Sequence, residues 1–259
     1  MTVTAHDEPA NVSDAHTRRP DLKGRRAVIT GGTTGIGRAI AVLLASYGAK
    51  VFICGRDPDH LDDALKRIGE VGEGSGISLD ISEEGSVDRL FNEAGKWLGG
   101  IDIAVINAAV PAEALAETTE KDTRYQVETD FVSYLITAQE AAKRMKEGSD
   151  IVIIGSMSAV SRKGGSSIYV AAKSGVQGFA KSLREELGEK DIKVGLIEPG
   201  FTGADFQYPH FPPEKQRELI HKDQMLRAED IAVAAHYMLT QPRRAAVSLI
   251  RVETRLDHP

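Results

Sequence analysis

The stretch AVITGGTTGIG, residues 27–37, decides how this chain folds. Ala27-Val28-Ile29-Thr30 is a short apolar run that ends at glycine, and it reads as a buried strand. Beyond the glycines, Ile40, Leu43, Leu44 and Tyr47 recur at helical spacing. Gly31, Thr33, Thr34, Gly35, Ile36 and Gly37 therefore form a turn from strand into helix. Such a turn lets the backbone approach a pyrophosphate, which the positive end of the helix dipole favours. The spacing is Gly31-x-x-x-Gly35-x-Gly37 rather than G-x-G-x-x-G. A Gly-rich loop alone is weak evidence, but a strand before it and a helix after it support a nucleotide-binding reading.

The same alternation continues outward. A strand is expected over 51–54, followed by Gly55-Arg56 and a helix from about 58. A third strand is expected over 76–79, ending at Asp80-Ile81, and a fourth over 101–106, ending at Asn107-Ala108-Ala109. Then come a long helix over about 117–146, a strand over 151–154, a helix over 168–189 and a strand over 192–197. Strands separated by helices of this length imply an α/β fold, a doubly wound parallel sheet in a single domain over 21–259. Open sheets of this kind bind ligands at the carboxyl ends of their strands, where Asp80, Ile81, Asn107 and Ala108 fall. An acidic residue after the second strand would hold ribose hydroxyls, whereas an arginine suits a 2′-phosphate. Arg56 therefore points to NADP rather than NAD, although Asp57 beside it leaves NAD open.

Composition narrows the classes. Of 259 residues, 41% are hydrophobic and 27% charged, ordinary for a globular protein. A net charge of −6 without a basic stripe argues against nucleic acid as a partner. No apolar run is long enough for a membrane span. The single cysteine, Cys54, lies in a strand-like run and reads as a buried, inert thiol. The seven histidines form no ligand-spaced cluster, so no metal is expected. Residues 1–20 are polar and aperiodic and read as a flexible extension, with neither a signal nor a transit pattern. The expected location is the cytoplasm.

The chemistry points to SMSAVSRKGGSSIYVAAK, residues 156–173. Ser156 follows a strand end. Tyr169 and Lys173 are four apart at the start of a helix and share one face. A phenol with a pKa of about 10 is a poor acid or base near neutrality. An ammonium one turn away favours the phenolate and lowers that pKa. A serine hydroxyl reaching the same spot would hold a carbonyl or alcohol oxygen while the tyrosine moves its proton. The pair alone occurs on many helices as a packed ring beside a solvated charge; the nucleotide-type loop upstream makes the chemical reading stronger.

Taken together, TGGTTGIG from Thr30, Asp80, the Asn107-Ala108-Ala109 turn, Ser156, Tyr169-x-x-x-Lys173 and Pro199-Gly200 resemble the short-chain dehydrogenase/reductase family. The resemblance runs from about Leu22 to the last strand. It implies a Rossmann-type fold, a nicotinamide cofactor and hydride transfer to or from a small alcohol or carbonyl. By that resemblance Ser156 orients the substrate oxygen and Tyr169 is the acid/base. Lys173 tunes Tyr169 and binds the nicotinamide ribose, and Pro199, Gly200 and Thr202 lie beside the nicotinamide. The chain departs from the family pattern in three places. Ala109 replaces a usual glycine, and its Cβ could shift the cofactor. Asp130 stands where the family has a catalytic asparagine. A relay through the backbone carbonyl of Asp130 is the expected role, with use of the carboxylate as the alternative. The tail over 239–255 is similar to an NADP-dependent branch of the family rather than to its common ending.

A substrate lid is expected over about 201–226, where Phe201, Phe206, Tyr208 and Phe211 cluster in an aromatic-poor chain. The alternative is that these rings only pin a long loop to the body. Arg162 and Lys163 could greet an anionic substrate or simply be solvated. Apolar residues on the two long helices (Phe131, Tyr134, Leu135, Ala138; Ile168, Val176, Phe179, Leu183) suggest a homodimer or homotetramer. Two other functions stay open: a non-catalytic nucleotide sensor, or an epimerase or dehydratase on the same fold.

Overall fold

A computed structural model describes residues 20–111, 113–203 and 211–256. The strands are β1 (Arg26–Thr30), β2 (Lys50–Gly55), β3 (Glu73–Ser78), β4 (Ile103–Ile106), β5 (Ser149–Ile154), β6 (Ile192–Pro199) and β7 (Leu249–Val252). They form one parallel sheet in the order β3-β2-β1-β4-β5-β6-β7. This is the doubly wound Rossmann-type arrangement. The strand order reverses between β1 and β4, which opens a crevice at their carboxyl ends. The third strand begins three residues earlier than its apolar pattern suggests, because Glu73, Gly74 and Ser75 pair with β2 at the sheet edge.

Helices α1 (Gly35–Ser46), α2 (Pro58–Gly69), α3 (Ser86–Leu98), α4 (Glu120–Val127), α5 (Ser133–Arg144), α6 (Ser158–Ser161), α7 (Ser167–Gly188), α8 (Pro213–His221) and α9 (Ala228–Leu239) complete the described elements. The sheet is buried on both faces. Val28, Phe52, Ala104, Ile106 and Ile153 join Leu90, Phe91, Tyr134 and Val176 from α3, α5 and α7. Ala27, Ile29, Ile53, Val105 and Ile154 join Ile40, Leu44, Leu61 and Ile231 from α1, α2 and α9 on the other face. Burial on both sides explains why these strands read as continuous apolar runs rather than as alternating ones.

The expected long helix over 117–146 is divided. A 3-10 turn at Leu115–Glu117 precedes α4, and a π-helical turn at Glu128–Val132 joins α4 to α5. Ser133 Oγ donates 2.6 Å to the Thr129 carbonyl within this turn. A π turn inserts one residue into the helical repeat and rotates the side chains around it.

Most of the apolar residues expected at a subunit face lie inside the chain. Tyr134, Ala138, Ile168, Val176 and Leu183 are buried within the chain itself, because α5 and α7 lie on the sheet with wide apolar stripes. Phe131, Leu135 and Phe179 are half-buried, and Val127 and Ile136 are exposed. The expected extension over residues 1–20 lies, apart from Pro20, outside the described residues. No helix among the described residues is long and apolar enough to cross a membrane.

Candidate active site

The nucleotide-type loop closes between β1 and α1. Gly31 has φ of 63° and Gly35 φ of 50°, in the left-handed region that glycine adopts without strain. A Cβ on Gly31 would fall 2.8 Å from Ala108 Cα. Thr30 Oγ1 accepts from the backbone N–H of Asn107 (2.9 Å) and of Ala108 (3.2 Å). Asn107 Nδ2 donates to the carbonyls of Thr30 and Gly31, each at 3.1 Å. The loop after β1 is thus tied to the turn after β4. Thr34 is the N-cap of α1 but makes no side-chain cap bond, and the first turn of α1 contains no acidic residue. A glycine cradle in front of an uncapped helix end with no local negative charge fits a pyrophosphate. Thr33 is buried against Gly55, and Ile36 is half-buried against the α1 core. Ile81 is buried in the core.

At the adenosine end, Asp57 is spent locally: its carboxylate caps α2, accepting from the N–H groups of Asp59 (2.8 Å) and His60 (3.1 Å). The His60 hydrogen bond is the main reason its pKa lies below the ordinary range. Arg56 is exposed and donates from Nη1 to the Tyr125 hydroxyl. Tyr125 in turn donates to Asp80 Oδ2 at 2.8 Å. Asp80 Oδ1 accepts from Ser82 N (2.9 Å) and Ser82 Oγ (2.7 Å). Burial would raise the Asp80 pKa, but the Ser82 and Tyr125 hydrogen bonds and the Arg56 charge outweigh it and hold the group low.

At the other end, Ser156 follows β5 and is buried, and its Oγ accepts from Ser158 N at 3.1 Å. Tyr169 is half-buried in the first turn of α7, and Lys173 lies one turn on, 1% exposed. Lys173 Nζ stands 5.5 Å from the Tyr169 ring centroid. It donates to Tyr134 Oη at 2.8 Å and to the Ile154 carbonyl at 3.4 Å. Tyr134 Oη donates to that same carbonyl at 3.1 Å. The residues beyond β6 line up alongside. The Pro199 carbonyl accepts from Met157 N at 2.9 Å, Gly200 N donates to Val252 O at 2.8 Å, and Thr202 Oγ1 donates to Gly200 O at 3.0 Å.

Asp130 lies in the π turn and is wholly buried. Its Oδ1 accepts from Val110 N at 2.8 Å, whereas Oδ2 has no hydrogen-bond partner. Burial pushes its pKa up to about 6, against the opposing pull of the Lys173 charge and the Val110 N–H. The Gln126 amide also favours the charged form, although its Nε2 reaches no partner in hydrogen-bonding geometry. Burial likewise pulls Lys173 down to about 8, and the Asp130 charge resists that fall. The Tyr134 phenol is pushed well above its ordinary value by burial and by the negative charge of Asp130 and Tyr169. The carboxylate, which the backbone-relay expectation left unused, therefore sits in the electrostatic field of Lys173.

Other candidates are placed less centrally. Arg162 and Lys163 are exposed, and Arg162 Nε donates back to Ala159 O at 3.0 Å. Cys54 is buried, and burial raises its thiol to about 12. Among the described residues no group of His, Cys, Asp and Glu is arranged to hold a metal ion. In the expected lid, Phe201 and Phe211 meet edge-on with centroids 5.3 Å apart; Phe206 and Tyr208 lie outside the described residues. No sequence motif marks Tyr125 or Tyr134 as a site residue. Tyr134 stands four residues after Asp130, a signal that it could share the interior face, but its apolar neighbours assigned it to a subunit face.

The short chain dehydrogenase family model matches residues 25–215. The chain is 32% identical over 219 residues to carbonyl reductase family member 4 of Xenopus laevis, covering 83% of this chain and 90% of that protein. It is 33% identical over 240 residues to an uncharacterised oxidoreductase of Staphylococcus aureus, covering 89% and 97%. A short chain dehydrogenase from Burkholderia cenocepacia, solved in complex with NADP, superposes with a TM-score of 0.81 at 26% identity, covering 90% and 98%.

Proposed function

The chain belongs to the short-chain dehydrogenase family, and from that premise we propose that it transfers hydride between NADP(H) and a small carbonyl or alcohol substrate. The observation that carries the reading is a buried Lys173 whose Nζ lies 5.5 Å from the Tyr169 ring centroid and donates to the Ile154 carbonyl, at the end of the strand that leads into Ser156. Gly31, Thr33, Thr34, Gly35, Ile36 and Gly37 would hold the pyrophosphate. Asp80, Ile81, Asn107 and Ala108 would line the adenosine and central part. Tyr169, Lys173, Pro199, Gly200 and Thr202 would surround the nicotinamide half. The bound nicotinamide supplies or accepts the hydride.

In the reductive direction Tyr169 gives its phenolic proton to the substrate oxygen, which the Ser156 hydroxyl holds by a hydrogen bond. The Lys173 ammonium stabilises the phenolate left behind. Oxidation reverses the proton's path. The edge-on pair of Phe201 and Phe211, which follows Pro199-Gly200 in the chain, supports a partly apolar substrate. The choice of NADP over NAD is supported by Arg56 at the end of β2 and by the engagement of Asp57 as a helix cap. The NADP bound by the Burkholderia relative agrees with that choice. A homodimer or homotetramer is supported by exposed Val127 and Ile136 next to half-buried Phe131 and Leu135; a monomeric mass by light scattering would remove that part.

The test is NADPH consumption against a panel of aldehydes, ketones and sugars, with Tyr169→Phe as the control. The wild type should turn over at least one member. Tyr169→Phe should lose turnover yet keep NADPH binding, because it deletes the proton and little surface. Undiminished rates in that variant would refute the mechanism. NADPH binding by the wild type without turnover of any carbonyl would favour a nucleotide sensor instead.

A further inference from the structure

Arg56 is a long, exposed side chain at a strand end, the setting in which a guanidinium usually stays solvated and mobile. Here it is fixed from two sides. Its backbone carbonyl accepts from Ser78 Oγ at 2.8 Å. Its guanidinium lies over the Tyr125 ring, Cζ 5.6 Å from the centroid, and Nη1 donates to the Tyr125 hydroxyl. That hydroxyl donates onward to Asp80 Oδ2, so the chain of donors runs from Arg56 through Tyr125 to Asp80. Both oxygens of Asp80 are occupied, one by Tyr125 and one by Ser82.

The interposed phenol has a specific consequence. A guanidinium paired directly with a carboxylate has its charge neutralised and its forked donors used. Among the described residues Arg56 makes no direct ion pair, and its Nε and Nη2 have no hydrogen-bond partner. Tyr125 holds the guanidinium in place while keeping it one group away from Asp80. The result is an oriented cation with the Nε and Nη2 donors left over, which suits a phosphate monoester.

We propose that Tyr125 is a specificity-determining residue: it anchors Arg56 as a receptor for the 2′-phosphate of the cofactor and keeps Asp80 from capturing it. The proposal rests on the NADP(H) reading above and adds to it a residue from α4, distant from Arg56 along the chain but in contact with it. Removing the phenolic oxygen frees the guanidinium to swing into water or to close on Asp80. Either outcome weakens a 2′-phosphate and leaves an unphosphorylated ribose unaffected.

The experiment is calorimetric titration of the full chain with 2′,5′-ADP and with 5′-AMP, for the wild type, Arg56→Ala and Tyr125→Phe. The wild type should bind 2′,5′-ADP more tightly. Tyr125→Phe should weaken 2′,5′-ADP about tenfold, the scale of one charge-assisted hydrogen bond, with 5′-AMP within about twofold. Unchanged 2′,5′-ADP affinity in Tyr125→Phe, with a loss in Arg56→Ala, would overturn the role of Tyr125 and leave the NADP reading standing. Equal weakening of both ligands would also overturn it, since Tyr125 would then serve the adenosine through Asp80. Equal affinity of the wild type for the two ligands, or no effect of Arg56→Ala, would overturn the NADP reading itself and the proposal with it.

Discussion

Lys173 Nζ donates a 2.8 Å hydrogen bond to Tyr134 Oη, and both side chains are shut away from water, at 1% and 0% exposure. A buried ammonium needs acceptors, and here the Tyr134 hydroxyl and the Ile154 carbonyl supply them. Tyr134 completes the arrangement by donating to that same carbonyl. The lysine is thus oriented by protein groups on α5 and β5, whereas its partnership with Tyr169 depends on α7 alone.

Tyr134→Phe keeps the ring and deletes the acceptor. The ammonium loses its shortest hydrogen bond, so the Lys173 pKa should fall and the maximal rate should drop about tenfold, the scale of a lost hydrogen bond to a charged group. A pH–rate profile with steady-state kinetics would check this. Wild-type rate and an unmoved alkaline limb would show that Tyr134 only fills space.

Asp130→Asn tests whether the buried carboxylate serves the site. Its negative charge resists the fall of the Lys173 pKa, which stands at about 8. Without that charge Lys173 gives up its proton at lower pH, and the ammonium that stabilises the Tyr169 phenolate disappears sooner. The alkaline limb of the rate profile should therefore move down by about one pH unit. If only the backbone carbonyl of Asp130 takes part, the limb stays where it is and the maximal rate remains within a few fold.

Gly37→Ala should damage both the fold and cofactor binding. The added Cβ would fall 2.5 Å from Asn107 Nδ2 and closer still to the Gly31 carbonyl oxygen, and backbone cannot move aside as a flexible side chain would. The contact that joins the loop after β1 to the turn after β4 must open. A lowered melting temperature together with loss of NADPH binding is the expected result. Retention of both, by thermal denaturation and titration, would show that the cradle tolerates a methyl group.

Much of the architecture was legible in the chain because it depends on local repeats. The apolar run before the glycines, the helical spacing after them and the i, i+4 pairing of Tyr169 with Lys173 are fixed by backbone geometry within a few residues. Parallel strands covered on both faces keep their apolar character along their whole length, so β1, β2, β4, β5 and β6 could be found from composition and length. β3 was found only in part, because Glu73, Gly74 and Ser75 at the sheet edge carry no apolar signal. The π turn at Glu128–Val132 left no trace in the periodicity, since one extra residue in a helix still reads as helix.

What the sequence determined by itself is the set of groups delivered to the carboxyl edge of the sheet: the glycine turn, Asp80, Asn107, Ser156 and the Tyr169–Lys173 pair. The partner that each group takes depends on how the elements pack. Asp57 became a helix cap, and Arg56 met Tyr125 of α4. Tyr134 turned inward to Lys173 rather than outward to a neighbouring subunit, and Asp130 was buried where its charge acts on that same lysine. The physical reason is that hydrogen-bond and charge partners between elements are set by sheet order and helix rotation. Those in turn follow from packing across the whole core, which no spacing along the chain records.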